Sequence, residues 1–321
     1  MKNKPKDILY CNVSKEKIIS SKPVLNEENI ALLYHWIFER YNIHIKKDIE
    51  KKDKPWTQDL ILQNYRFCNV RREHDKESRW LIENIINSNL SYENKLLNII
   101  LFRLINKSQT IKIFGILDFN NLDFIKIKKD LEDFKLNNPD YIYFSNAFFT
   151  SGPKVVCNKY FKEDNMVIKM IMLVLKYYKE GIIKKINNSI NQKEVFNSLK
   201  SYNGLGNFLA YQIFVDFTYM KEFPYSENEF VISGPGCING LKLIFKDFDG
   251  LNYDELLFYL RDNQFNIFEK FSYQPEKLFK DLIKDDQYLN LMSLENCMCE
   301  ISKYIRALKK EGRPRIKYKS I

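Results

Sequence analysis

The sequence predicts an all-α fold, and three observations carry that prediction. Glycine (10) and proline (9) are scarce in 321 residues, too few for the turns of a β-sandwich or an α/β protein. Apolar residues recur at helical spacing through most of the chain. Strand-like patterning is confined to "DYIYF" (140–144) and "EFVIS" (229–233), each a possible short strand. With 45% hydrophobic and 15% aromatic residues, the chain can bury a sizeable core.

The elements follow in order. Residues 1–25 are polar and basic, a loosely held lead-in. "NIALLYHWIFERYNI" (29–43) has helical periodicity, and the charged linker "KKDIEKKDKPW" (46–56) follows it. This predicts an N-terminal extension with one helix over 1–55 and a main helical domain over 56–321. "FCNVRREHDKESRWL" (67–81) starts as an amphipathic helix whose stripe, Arg72, Asp75, Arg79, Ile82 and Ile86, is polar at first and then apolar. Two helices share 80–106, broken near Ser91, and one long helix is expected over 165–186. The C-terminal helix begins at about Leu294, with Cys297, Met298, Ile301, Tyr304, Ile305 and Leu308 on its apolar face.

The formal charge of +10 (51 basic, 41 acidic residues) points to a polyanionic partner, nucleic acid first. Abundant Lys, Ile and Asn would also arise from AT-rich coding DNA, so charge alone does not fix the partner. None of the six cysteines forms a C-x-x-C pair, and with three histidines no metal site is expected. Reduced thiols in the cytoplasm are the expectation. No apolar run is long enough to span a bilayer, and no obligate protein partner is indicated.

"LKSYNGLGNFLAYQIFVDFTY" (199–219) carries most of the functional argument. Gly204 and Gly206 flank one residue between two helical patterns, a hairpin whose backbone N–H groups, with Asn207, would suit a phosphate. The following helix is apolar nearly all round, with Gln212 and Asp216 as a polar pair one turn apart. A buried carboxylate is costly unless paired or employed. Asp216 is therefore either an ion-pair partner of Arg72, Arg79 or Arg103, or a catalytic or base-contacting acid. Downstream, Gly234, Gly236 and Gly240 allow close backbone approach before a helix, and Glu227 and Glu229 sit just ahead of them. Solvated loop positions are the plain alternative for both glutamates.

"WTQDLILQNYRFCNVRREHDKESRWL", "LLNIILFRLIN", "GLGNFLAYQIFVDFTY", "GPGCINGL" and "ENCMCEISKY" occur in this order over 56–318. Together they resemble the alpha-glutamyl/putrescinyl thymine pyrophosphorylase family, also described as the helical domain of 5-hydroxymethyluracil DNA kinases. That family is related to the helix–hairpin–helix DNA glycosylases. The resemblance implies two helical lobes around a cleft that receives an extruded nucleotide, with hairpin 201–219 on the DNA backbone. It further implies double-stranded DNA, modified phage DNA in particular, as partner. The branch expected is that of anti-phage glycosylases that excise glucosylated hydroxymethyl pyrimidines without cofactor or metal.

By the same resemblance Asn69, Arg72, Asp75, Arg103 and Asn106, with Gln212, would line the base pocket or brace it. Asp216 matches the hairpin-helix aspartate, and Glu300, Lys303 and Tyr304 match "C-E-x-x-K-Y". Asp216, Glu229 or Glu227 would be the catalytic carboxylate. Gly204, Gly206, Asn207, Gly234, Gly236 and Lys303, with Arg313 and Arg315 in the basic tail, would meet DNA. The usual place of a helix–hairpin–helix catalytic aspartate falls near Ser226, where none stands, and Phe208 replaces the lyase lysine, so no Schiff base is expected. A transferase acting on hydroxymethyl pyrimidines in DNA and a non-catalytic reader are the alternatives.

Overall fold

Short polar side chains begin most of the helices. The computed structural model describes residues 22–145, 151–271, 289–312 and 317. In it Asn26 opens α1 (Glu27–His44), its side chain accepting from the Asn29 N–H at 3.3 Å. Asp59 likewise caps α2 (Leu60–Asn64), and α3 (Lys76–Leu81) follows an irregular segment. Ser91 caps α4 (Tyr92–Ile105), so the break expected there is a helix start. Next come α5 (Ser108–Phe114), α6 (Phe124–Asn137), α7 (Ser151–Tyr160), α8 (Met166–Lys179) and α9 (Ile182–Asn187). The chain continues through α10 (Gln192–Lys200), α11 (Asn207–Phe217), α12 (Pro235–Ile244), α13 (Tyr253–Phe271) and α14 (Leu291–Leu308). Asn165, Asn191 and Asn290 cap α8, α10 and α14. An Asn-rich composition is thus put to use, since each such cap satisfies an orphan backbone N–H.

The central element is α4, buried from Asn94 to Ile105 and packed against α8 and α11. Its polar residues are paired across the helix: Asn98 donates to Leu117 O at 2.7 Å and accepts from the Leu117 N–H at 3.0 Å. Helix α14 packs on α1, α12 and α13, and its contact with α12 is the most extensive among the described elements. A Cβ at Gly240 would stand 2.1 Å from Met298 O, and one at Gly236 3.0 Å from Cys299 Sγ. These two glycines, four apart, therefore let α12 lie directly on α14. The buried side chains of α1, Trp36 and Ile37 among them, join one core cluster with those of α14.

Several expectations are corrected. Neither 140–144 nor 229–233 is a strand; among the described residues a two-stranded sheet pairs β1 (Val24–Leu25) antiparallel with β2 (Phe245–Asp247). The long helix over 165–186 breaks at Gly181, whose φ of +81° is left-handed. The stretch 67–75 is not an amphipathic helix. Asn69 donates to Asp75 Oδ1 from its backbone N–H (2.9 Å) and from Nδ2 (3.0 Å), and Nδ2 also reaches His74 O. Local side-chain bonds of this kind compete with helical ones, and the helix waits until Lys76. Among the described residues no helix is long and apolar enough to cross a membrane.

Candidate active site

The Asn69–Asp75 bracket turns the loop between them so that Arg72 points into the protein. Its Nη2 lies 3.2 Å from Asp216 Oδ1 and 3.5 Å from the Gln212 carbonyl. Asp216 is 0% exposed, and Arg103 grips it from the other side, with Nη2 2.7 Å from Oδ1 and Nε on Oδ2. Arg103 also donates to Asn106 Oδ1 (2.8 Å) and Ser78 Oγ (3.3 Å). Asp216 is thus the ion-pair partner of two of the arginines named for it. A carboxylate with no exposed surface and both oxygens occupied cannot sit beneath a sugar, so the catalytic expectation for it is corrected. Arg103 and Asn106 brace the same lattice.

The second guanidinium edge of Arg72 faces a different set of groups. Its Nη1 is buried without a hydrogen-bond partner among the described residues, as are the Tyr219 hydroxyl and Glu227 Oε2. Burial, helped by the Glu73 carboxylate, pushes Glu227 up to about 7, against the opposing pull of Asn290, Arg71 and Arg72. Burial likewise raises Glu295 to about 7, opposed by the Gly234 N–H and by Arg72. Burial holds the hydroxyls of Tyr211 and Tyr219 well above the usual tyrosine range, and Arg72 offsets part of it at both. Four segments meet here: loop 69–75, α11 with the turn after it, loop 226–234, and the first turns of α14. Two carboxyls that titrate near neutrality beside a half-unpaired guanidinium can hold or accept a proton while an N–H fixes an oxygen.

The other expected residues are placed as follows. Glu229 is exposed and accepts from Gln192 Nε2, which fits the solvated alternative. Gly234 opens α12 and gives its N–H to Glu295. Glu300 takes Lys303 Nζ at 2.5 Å within the same helix, the Lys303 side chain staying part-exposed, and Tyr304 donates to Asp59 at 2.5 Å, which ties α14 to the start of α2. At the hairpin, Gly204 has φ +97° and a Cβ there would meet Pro153 Cα at 3.2 Å, whereas Gly206 has open space around it. Gly206 and Asn207 are exposed, and α11 starts without a side-chain cap. Asn69 and Asp75 line an open cleft of about 380 Å³ on the far side of their loop. Arg313 and Arg315 lie outside the described residues. No cluster of His, Cys, Asp and Glu among the described residues could hold a metal.

Glu295 and the two tyrosines were missed by sequence reasoning. The available signal was a glutamate inside the apolar run "LMSLENCMCEI", the same argument that singled out Asp216.

The family model described as "5-hmdU DNA kinase, helical domain" matches residues 27–313. The 5-hmdU DNA kinase of Bacillus phage SP10 is 26% identical over 284 residues, which cover 84% of this chain and 43% of that relative. This chain therefore spans less than half of the relative's length. No solved structure matches. The relative's name is that of a transferase, and this overturns the expected hydrolytic N-glycosylase. Taken with the residues matched, these findings place the chain in the 5-hmdU DNA kinase helical-domain family.

Proposed function

We propose that this chain acts on DNA that carries a hydroxymethylated pyrimidine, as the helical unit of a transferase that modifies the base. Family membership over 27–313 carries this reading. The net charge of +10 fits a DNA partner, and the Arg72–Glu227–Glu295 cluster supplies a location. On this reading the exposed hairpin at Gly206 and Asn207 meets the DNA backbone, and an extruded nucleotide enters a cleft between helical lobes. When the hydroxymethyl oxygen bonds to the γ-phosphorus of ATP, the bond from that phosphorus to the β–γ bridging oxygen breaks, ADP leaves, and the hydroxyl proton must pass to a base. Glu227 or Glu295, titrating near neutrality, is matched to accept it, while Arg72 Nη1 holds a base oxygen.

The test incubates the chain with duplexes containing hydroxymethyluracil, hydroxymethylcytosine or no modification, with ATP and magnesium, followed by nucleoside mass analysis. A mass gain on one hydroxymethylated nucleoside is expected. Preferential binding without a mass change would assign the chain to recognition alone, and equal binding of all three without a product would end the reading.

A further inference from the structure

The loop 69–75 has a second face, and the cleft there is basic. We infer that this cleft is a phosphate-binding site for a nucleotide, supplied either by a DNA strand or in free form. Arg40 of α1 and Arg79 of α3 line it, with Lys47, Lys54, Arg66 and Lys76 around them. Two carboxylates also line it, and both are already engaged. Asp48 accepts from His44 Nδ1 at 3.0 Å and lies 3.7 Å from Lys47 Nζ, while Asp75 is held by Asn69. Cations therefore outnumber the carboxylates, and Lys76 and Arg79 make no salt bridge among the described residues.

Basic surface in a lysine-rich chain is ordinarily solvated, and a shell of exposed lysines would mean nothing more. Arg40 is different. It is 5% exposed, one nitrogen donates to Phe67 O at 3.3 Å, and Nη1 is buried without a partner among the described residues. A buried guanidinium left half-unpaired is costly, and an anion entering beside it removes that cost. His74 Nδ1, on the same wall, is also buried without a partner, and burial keeps its imidazole neutral, its pKa lowered to about 4. The site thus offers a fixed cation and a ring nitrogen in depth, with further cationic side chains at the rim.

The cleft also has a flat aromatic wall. Trp56 lines it, with Lys47 and Lys54 5.7 and 5.6 Å from the ring centroid. Its Nε1 donates to Lys52 O at 2.7 Å, which fixes the ring. A stacking surface beside phosphate-binding cations is the pairing that single-strand and nucleotide sites use. The volume of about 380 Å³ suits one mononucleotide. This inference goes beyond the proposed base modification and stands on the charge and geometry of the cleft alone.

The experiment titrates the full chain with inorganic pyrophosphate, ATP and a short unmodified oligothymidylate, none of which carries a hydroxymethyl group. Three variants accompany it. Lys54→Glu/Arg66→Glu/Lys76→Glu reverses exposed rim positions, Lys126→Glu/Lys128→Glu/Lys129→Glu reverses the same number on α6, and Trp56→Phe trims the wall. The rim variant should lose at least about tenfold in affinity for oligothymidylate or ATP, and the α6 variant less than about threefold, because only local charges contact the phosphates. Trp56→Phe should weaken the ring-bearing ligands and leave pyrophosphate unchanged. If ATP displaces the oligonucleotide, the source is a free nucleotide; if only the oligonucleotide binds, it is the strand. Equal losses in the rim and α6 variants, an unaffected rim variant, or no binding by the wild type overturns the inference. Each outcome is independent of the hydroxymethyl assay, so the two proposals can fail separately.

Discussion

Arg103 closes on Asp216 with two of its nitrogens, Nη2 standing 2.7 Å from Oδ1, and both side chains are buried. Arg72 completes the set at 3.2 Å. A carboxylate buried among guanidiniums is stabilising only relative to its broken forms. Removing one partner leaves uncompensated charge, typically costing ~3–5 kcal/mol, whereas replacing the pair with apolar groups costs far less. Asp216→Asn and Asp216→Ala should therefore both destabilise by about that amount in urea unfolding, and replacing the whole set, Arg72→Met/Arg103→Met/Asp216→Leu, should recover more than half of it. A fully stable Asp216→Asn that lost only activity would refute the structural role.

Glu295 supplies a test in pH. Its folded value of about 7 lies above its ordinary value of 4.5, because burial outweighs Arg72 and the Gly234 N–H. The folded state therefore holds the proton more tightly than the unfolded one. That stabilisation is complete below about 4.5 and is lost as pH rises through about 7. Glu295→Gln mimics the protonated form. It should match wild type near pH 4.5 and become more stable as pH rises, by up to about 3 kcal/mol at pH 8 at ~1.4 kcal/mol per pH unit. Thermal unfolding of both proteins across that window reads the gap; a gap of opposite sign means Glu295 is held ionised.

The scaffold was largely legible because α4 and α11 are apolar on nearly every face, and only a buried helix has that pattern. Arg72 and Arg103 were legible as partners of Asp216 by the same logic of buried charge. The segment 67–75 was not, since its side chains hydrogen-bond to one another, and periodicity does not register such bonds. Gly236 and Gly240 were read as places of close backbone approach, but a sequence does not say what approaches a bare Cα; here α14 does. Glu295 escaped because its neighbours in space, Arg72 and Gly234, lie far away in the chain. The chemistry escaped for another reason: related scaffolds serve different reactions, and only the site decides between them.

Arg72 joins the two halves of the site, so its replacement should separate stability from function. In Arg72→Met, Asp216 keeps Arg103, and the expected loss is about 1–3 kcal/mol, in the range of one buried charged hydrogen bond. Arg72 also lowers both Glu227 and Glu295. Without it both should titrate higher, and the acid limb of any pH–rate profile should move to higher pH. An unmoved limb would show that neither carboxyl is the proton acceptor.

The hairpin separates in the same way. Gly206 opens α11 with φ −72°, which any residue adopts, and a Cβ there meets nothing within 4 Å. Aspartate at this position can accept from the first N–H groups of α11, and an N-cap of that kind is worth a few tenths of a kcal/mol over glycine. Gly206→Asp should therefore leave urea stability unchanged or slightly raised. If the hairpin meets a phosphate, as proposed, the same carboxylate blocks and repels it, and DNA affinity should fall about tenfold at low salt, with the difference shrinking as salt rises. A substitution that tightens the helix while loosening the complex has no explanation in folding. Unchanged affinity at low salt would move the DNA contact away from the start of α11.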